Sequence, residues 1–260
     1  MSASPFPETP WSRSQGTFVW YELTTTDAHA ATRFYEAVLG WGTRDAGLPD
    51  MRYVLLTAGD TMVGGLMELP QGRDCDIATE PGWIGYIAVD DIDMMIARVD
   101  GGGGTVHRPV IDIPDIGRFA IVGDPQGAVF ALLQGPSPPL PGQAGWHELH
   151  ALDPEGVFPF YAGLFGWTRS DTPVGGLPGA GQFFTMGGIA AGSIVRRADP
   201  SVPPFWLHHF NVRDIDVAVE TVRNTGGRVL HGPRQVPDGR WIVQGRDPQD
   251  VPFAVVGRRG

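Results

Sequence analysis

Two stretches of this chain are near copies of each other, 126 residues apart. Trp20, Glu22, Leu23, Asp27, Phe34, Tyr35, Gly40 and Trp41 recur as Trp146, Glu148, Leu149, Asp153, Phe160, Tyr161, Gly166 and Trp167. Eight of the 22 positions from Trp20 to Trp41 are therefore identical, where unrelated segments would share about one. An internal duplication halves the folding problem, because each half must build the same architecture.

The repeated unit reads as strand, helix, turn. Thr17 to Leu23 is rich in aromatic and β-branched residues that alternate, the pattern of a half-buried strand. Asp27 stands where an N-cap belongs, and Ala31, Phe34, Tyr35, Val38 and Leu39 follow with the spacing of one apolar helix stripe. Gly40 closes the helix as a C′ glycine. In the copy, Asp153 caps, Pro154 suits the first helical position, and Phe160, Tyr161, Leu164 and Phe165 supply the stripe. Pro159 removes a backbone donor inside the second helix, which is therefore expected to bend or to begin late.

Three short strands follow the first helix, at Trp41 to Asp45, Arg52 to Ala58 and Thr61 to Glu68, making a βαβββ module that ends in the loop Pro70 to Gly82. A second module starts at Trp83 to Val89. Asp91 can cap a helix carrying Ile92, Met95, Ile96 and Val99 on one face, and Gly101 to Gly104 stops it. Strands at Thr105 to Ile111, Arg118 to Val122 and Ala128 to Leu133 complete it, the last two joined by an Asp124-Pro125-Gln126-Gly127 turn. After the proline-rich stretch the order restarts. Phe205 to Val212 matches the fifth strand, Ile215, Ala218, Val219 and Val222 the second helix, and Asp247-Pro248-Gln249 the last turn. The domains are therefore expected as a loose tail over residues 1–14, a first domain over 15–135, a Pro-rich linker over 136–142 and a second domain over 143–260.

Four βαβββ modules in this order resemble the vicinal oxygen chelate superfamily, which includes glyoxalase I, bleomycin-resistance proteins and extradiol dioxygenases. The resemblance rests on Phe34, Tyr35 and Leu39-Gly40-Trp41, on Val89-Asp90-Asp91-Ile92-Asp93, on Gly103-Gly104, and on Asp124-Pro125-Gln126-Gly127 with Phe130, plus their counterparts in the second half. It implies an α+β fold: two tandem domains, each with a curved, cup-like mixed sheet. It also implies a metal site in each cup, held by His, Glu or Gln. Counting along the motifs places the ligand positions on Trp20, Ile84 and Ala131 in the first half and on Trp146, Leu207 and Ala254 in the second, with Glu68 the one carboxylate near such a position. Indole and alkyl groups do not ligate a divalent cation. No metal and no cofactor is therefore expected.

Without a metal, each cup is an aromatic and apolar pocket with a few polar groups. The expected lining is Trp20, Glu22, Tyr86 and Arg118 in the first half and Trp146, Glu148, His150, His209 and Arg240 in the second. For the tryptophans the competing reading is plain core packing. Glu22 and Glu148 each need a partner or solvent, because a carboxylate on a central strand is costly to bury alone, and Arg118 and Arg240 are the expected partners. A displaced metal set of Glu148, His150 and His209 is weighed against histidines that merely hydrogen-bond locally, and the local reading is preferred. The functional expectation is metal-independent binding or sequestration of a small, partly apolar molecule. The rival is a glyoxalase-type lyase, isomerase or dioxygenase using a shifted metal or Glu22 and Glu148 as catalytic bases. A third reading, an interaction protein on a degenerate fold, predicts filled cups.

Composition narrows the partners. The net charge is -10, and since the sequence contains no lysine all 19 basic residues are arginines. Lysine Schiff-base chemistry and a Walker lysine are excluded, and the acidic balance argues against nucleic acid or anionic membrane as partner. No apolar run reaches spanning length and the N-terminus lacks a signal peptide's basic and apolar regions, so a cytoplasmic monomer or homodimer is expected. The single cysteine, Cys75, lies between two aspartates that disfavour a thiolate. The glycine-rich run 175–181 reads as a solvated connection.

Overall fold

In the computed structural model, residues 14–47, 52–69, 81–114, 116–135, 144–171 and 181–260 are described. All but the last residue of the expected tail, the linker, Cys75 and most of the glycine-rich loop lie outside them. The first half runs β1 (Phe18–Thr25), α1 (Ala28–Leu39), β2 (Gly42–Asp45), β3 (Tyr53–Ala58), β4 (Thr61–Glu68), then β5 (Gly82–Ala88), α2 (Ile92–Gly101), β6 (Thr105–Ile113), β7 (Gly117–Gly123) and β8 (Val129–Gln134). The second half runs β9 (Ala144–Ala151), α3 (Pro154–Phe165), β10 (Thr168–Ser170), β11 (Gln182–Met186), β12 (Ile189–Arg196), then β13 (Phe205–Asp214), α4 (Ile215–Asn224), β14 (Arg228–Gln235), β15 (Trp241–Arg246) and β16 (Pro252–Arg258). The strand orders are β2-β3-β4-β1-β5-β8-β7-β6 and β10-β11-β12-β9-β13-β16-β15-β14. These are the four expected modules. The first strands of paired modules, β1 with β5 and β9 with β13, meet antiparallel at the centre of each mixed sheet.

Local chemistry sets the helix ends. Ala30 N donates to Asp27 Oδ1 at 2.9 Å, and Met94 N to Asp91 Oδ1 at 2.9 Å. Gly40 at φ 68° and Gly166 at φ 69° take the left-handed turn that a β-carbon disfavours. Asp153 holds the N-cap position of α3 but caps nothing with its side chain. Instead Gln126 of the first half reaches across: Leu152 N and Asp153 N donate to its Oε1 at 2.7 and 2.9 Å, and its Nε2 donates to Asp153 O at 2.8 Å. The late start expected from Pro159 does not occur, since α3 begins at Pro154 and matches the twelve residues of α1. Pro159 and Glu155 both lie on the exposed side, so water can take the Glu155 carbonyl that the missing N–H leaves free.

Alternation gives each sheet two working faces. On one, the halves pack against each other through a shared core that includes all four helices. Phe18 lies 4.2 Å from the His147 ring, and Phe210 packs between Trp41 and Trp83 at 5.1 and 4.8 Å. Gly85 makes this approach possible: a β-carbon there would meet the rings of Phe18 and His208 at 2.6 to 2.7 Å. Two reciprocal polar links close the seam. Tyr35 OH donates to Asp247 Oδ2 at 3.1 Å while accepting from Trp83 Nε1 at 3.0 Å. Its counterpart Tyr161 OH donates to Asp124 Oδ2 at 2.9 Å while accepting from Trp206 Nε1 at 3.2 Å. The opposite faces, carrying Trp20 and Glu22 in one half and Trp146 and Glu148 in the other, form the cups. No helix among the described residues is long and apolar enough to cross a membrane.

Candidate functional site

Register, which sequence counting does not supply, decides what stands in each cup. In the first half Trp20 pairs with Tyr86, which pairs with Ala131; in the second, Trp146 pairs with His209, which pairs with Ala254. Ile84 and Leu207 sit opposite Glu22 and Glu148 instead. The ligand row inferred from the family motifs is thus corrected by two residues in its middle member, and holds one imidazole in the second half and none in the first. Glu68, the remaining carboxylate near a ligand position, lies 4.0 Å from Arg52. Among the described residues no group of three or more His, Cys, Asp or Glu side chains could hold a metal ion. These donors do not fit the divalent metal that the fold family implies.

In the first cup two tyrosines of the same sheet meet on Glu22. Tyr53 OH and Tyr86 OH both donate to the Glu22 carboxylate, at 2.9 and 3.2 Å. Trp20, Ile84, Phe119, Ile121 and Leu133 pack around them. Tyr53 reaches Glu22 because Gly65 leaves room; a β-carbon there would fall 1.9 Å from the tyrosine oxygen. Burial pushes the Glu22 carboxyl above the usual range, against the lowering pull of the two tyrosines and of Arg108. Arg118 is not its partner. That guanidinium points outward, forked on Asp93 at 2.6 and 3.0 Å and bonded to Asp112 at 3.1 Å.

The second cup is open. Leu55, Gly65 and Glu22 are aligned across strands in the first sheet as Phe183, Ser193 and Glu148 are in the second. Two residues back along the third strand, Tyr53 therefore corresponds to Gly181, while Tyr86 corresponds to His209. The two tyrosines that bond Glu22 correspond to a glycine and an imidazole, neither of which lines the cavity of about 350 Å³ beside Glu148. It is lined by Glu148 and His150, by Val195 and Arg196 of β12, by His231, Gly232 and Arg234 of β14, and by Ile242 and Gln244 of β15.

Glu148 is buried, and Gln244 Nε2 donates to its Oε1 at 3.1 Å. His150 Nε2 lies 2.8 Å from the same oxygen. That approach is off the line of a ring N–H, because this nitrogen makes no in-line hydrogen bond. The second oxygen, Oε2, has no partner among the described residues. Burial pushes the Glu148 carboxyl upward, but the contact with His150, the nearby charges of His209 and His150, and Gln244 outweigh it, and the group is held below the usual carboxylate range. His209 is fully buried with neither ring nitrogen hydrogen-bonded. Burial, opposed by Glu148, pushes it down to about 4.

Of the residues expected from sequence, Glu148 and His150 line the cavity. Trp146 is buried and does not line it, its indole N–H donating to Ser193 Oγ at 3.2 Å. Arg240 is paired with Asp238 at 2.7 Å instead of Glu148. Sequence reasoning missed Gln244, Arg234, His231 and, in the first cup, Tyr53. Alternation along the fourteenth strand, which carries His231 and Arg234, offered no signal, because its register shifts twice.

Paired βαβββ modules whose central strands form two cups define a two-domain protein of the vicinal oxygen chelate type. The chain belongs to the Glyoxalase/Bleomycin resistance protein/Dioxygenase superfamily, whose sequence model matches residues 17–132 and 146–255. It is 34% identical over 254 residues, covering 93% of this chain and 95% of the relative, to a protein of Mycobacterium tuberculosis named "Putative glyoxylase CFP32". It is 28% identical over 261 residues, 94% of each chain, to the anthracycline biosynthesis protein DnrV of Streptomyces peucetius. Among solved structures it resembles a Mn(II)-bound glyoxalase from Novosphingobium aromaticivorans, with TM-score 0.66 and 16% identity over 95% of this chain and 83% of that one. The dioxygenase LapB from Pseudomonas sp. KL28 gives TM-score 0.63 and 14% identity over 92% and 91%. At such identities the likeness to solved structures is one of fold.

Proposed function

We propose that this protein binds a small, partly apolar molecule in the cup of its second domain without a metal ion. The observation that carries the reading is the difference between the duplicated cups: in one, Tyr53 and Tyr86 occupy both oxygens of Glu22; in the other, Glu148 lines a cavity with one oxygen free. A cavity of about 350 Å³ is of the size that small-molecule sites occupy. Binding should therefore be one to one and not two to one. Replacing Ile242 with tryptophan fills the second cup, and hits from a fragment library observed by saturation-transfer NMR should lose at least tenfold in affinity. Hits that bind the Ile242→Trp protein as tightly as the wild type would remove the cup from consideration.

The second reading, proton-transfer chemistry of glyoxalase type, is favoured by one observation. Glu148 is a buried carboxylate at the cavity with one oxygen free to accept a proton. Glu22 is less suited, because both tyrosine hydroxyls occupy its carboxylate. If this reading holds, turnover of the hemithioacetal of methylglyoxal and a thiol falls by about a hundredfold or more in Glu148→Gln. Wild-type protein that leaves that substrate unchanged disposes of it for this substrate class.

A further inference from the structure

The polar groups of the second cup are not scattered around it. Glu148 and Gln244 occupy its buried part, while Arg234 and His231 stand exposed at its rim on β14. Neither Arg234 nor His231 has a side-chain partner among the described residues. Arg196, also at the rim, is already engaged by the Leu152 carbonyl and lies 3.9 Å from Asp153. Among the described residues Arg234 thus stands at the mouth of the cavity without a carboxylate partner, while Arg196, Arg228, Arg240, Arg246 and Arg259 of the same half each have one.

The first cup serves as an internal control. By sheet register, Arg234 lies opposite Ile242 as Ile111 lies opposite Phe119, and Gln244 lies opposite Ala254 as Ile121 lies opposite Ala131. In the first cup these two positions carry isoleucine; in the second they carry a cation and an amide. The position facing Gln244 and Ile121 is polar in both halves, His231 in one and Arg108 in the other, so it is Arg234 and Gln244 that set the second cup apart. They point to what the cavity receives.

We propose that the ligand of this cup is a small organic acid that also carries a hydroxyl group: its carboxylate pairs with Arg234 and His231 at the rim, and its hydroxyl donates to the free Oε2 of Glu148. The apolar body between them lies along Val195 and Ile242. A guanidinium and an imidazole N–H at the mouth of the cavity match a carboxylate as donors. A buried carboxylate is an acceptor only, so it selects a hydroxyl donor and rejects a second anion. This inference rests on the cup being the binding site, and its test separates the two.

The test uses three matched probes in isothermal titration calorimetry with the full chain: para-hydroxyphenylpropionate, phenylpropionate lacking the hydroxyl, and para-hydroxyphenylpropanol lacking the carboxylate. The hydroxy acid should bind at least tenfold more tightly than either of the others. Arg234→Ala should weaken both acids about tenfold and leave the alcohol within twofold, and Glu148→Gln should weaken both phenols about tenfold and leave phenylpropionate within twofold. Arg234 is exposed, so its loss does not threaten the fold. An alcohol that binds as tightly as the hydroxy acid, indifference to Arg234→Ala, or no binding of either acid at millimolar concentration overturns the proposal. Affinities that survive Ile242→Trp would instead show that the probes bind elsewhere and that the cup reading itself fails.

Discussion

Between pH 7 and pH 4 the protein should lose at least about 3 kcal/mol of folding stability, with the loss starting near pH 6.5. Burial pushes His208 down to about 3, His209 down to about 4, and His147 well below its ordinary value. The unfolded chain binds protons at these histidines from about pH 6.5 downward, whereas the folded chain does not. Their contribution is therefore fully present above about pH 6.5 and is lost as pH falls toward the folded values. For His209 alone the gap corresponds to roughly 3 kcal/mol at about 1.4 kcal/mol per pH unit. His147 and His208 add to it, because their Nδ1 atoms lie 3.1 Å apart in the core between the halves. One ring donates and the other accepts, an arrangement that a second proton converts into repulsion.

The carboxyls of Glu22, Asp124 and Asp247 work in the opposite sense. Their folded values are raised by burial, so they favour folding as pH falls, but only in a window just above the ordinary carboxylate range. The histidine loss comes first. Urea unfolding in steps of half a pH unit should show it, and a His208→Gln protein should show a shallower slope. A wild-type free energy flat within about 1 kcal/mol from pH 7 to 4.5 would mean that the buried imidazoles are solvated or already charged.

How much of this was legible in the sequence follows from the range of each interaction. The duplication, the module order, the aspartate caps and the glycine C-caps are local or repeated signals, and the structure places the elements within a residue or two of where the pattern put them. Pro159 misled because its effect depends on which side of the helix faces water. The cups were harder. Tyr53 closes on Glu22 from 31 residues away, and Gln244 reaches Glu148 from 96. Arg118 and Arg240 were natural partners by charge, yet Asp93 and Asp238 lie nearer in space and cost less to reach, since those pairs form at partly exposed positions. The rim residues were invisible for a further reason: β14 shifts register on both sides of His231, so alternation could not assign His231 and Arg234 to the cup face.

The seam between the halves should depend on two aspartates more than on any pair of its aromatic contacts. Asp247 Oδ1 accepts from Gln249 N and Val251 N at 2.8 and 2.9 Å, tying its own turn, while Oδ2 takes the Tyr35 hydroxyl of the other half. Asp124 does the same with Gln126 N, Ala128 N and Tyr161. Replacing either aspartate with alanine strands three donors in buried or half-buried surroundings, at about 1 to 3 kcal/mol for each one left unpaired. Part of that is recovered where water reaches the turn, so a loss of about 3 to 5 kcal/mol is expected for each variant. Tyr35→Phe removes one hydroxyl and strands Trp83 Nε1, at about 1 to 2 kcal/mol. In the cycle of Tyr35→Phe with Asp247→Ala, the double variant should be less destabilised than the sum of the singles by about 1 kcal/mol or more. That coupling belongs to a bond joining residues 212 apart in the chain, so it measures cohesion between the halves. Additive costs would mean that each aspartate serves only its own turn. The pseudo-symmetric cycle of Tyr161→Phe with Asp124→Ala should give a coupling of the same sign, since the geometry repeats within a few tenths of an ångström.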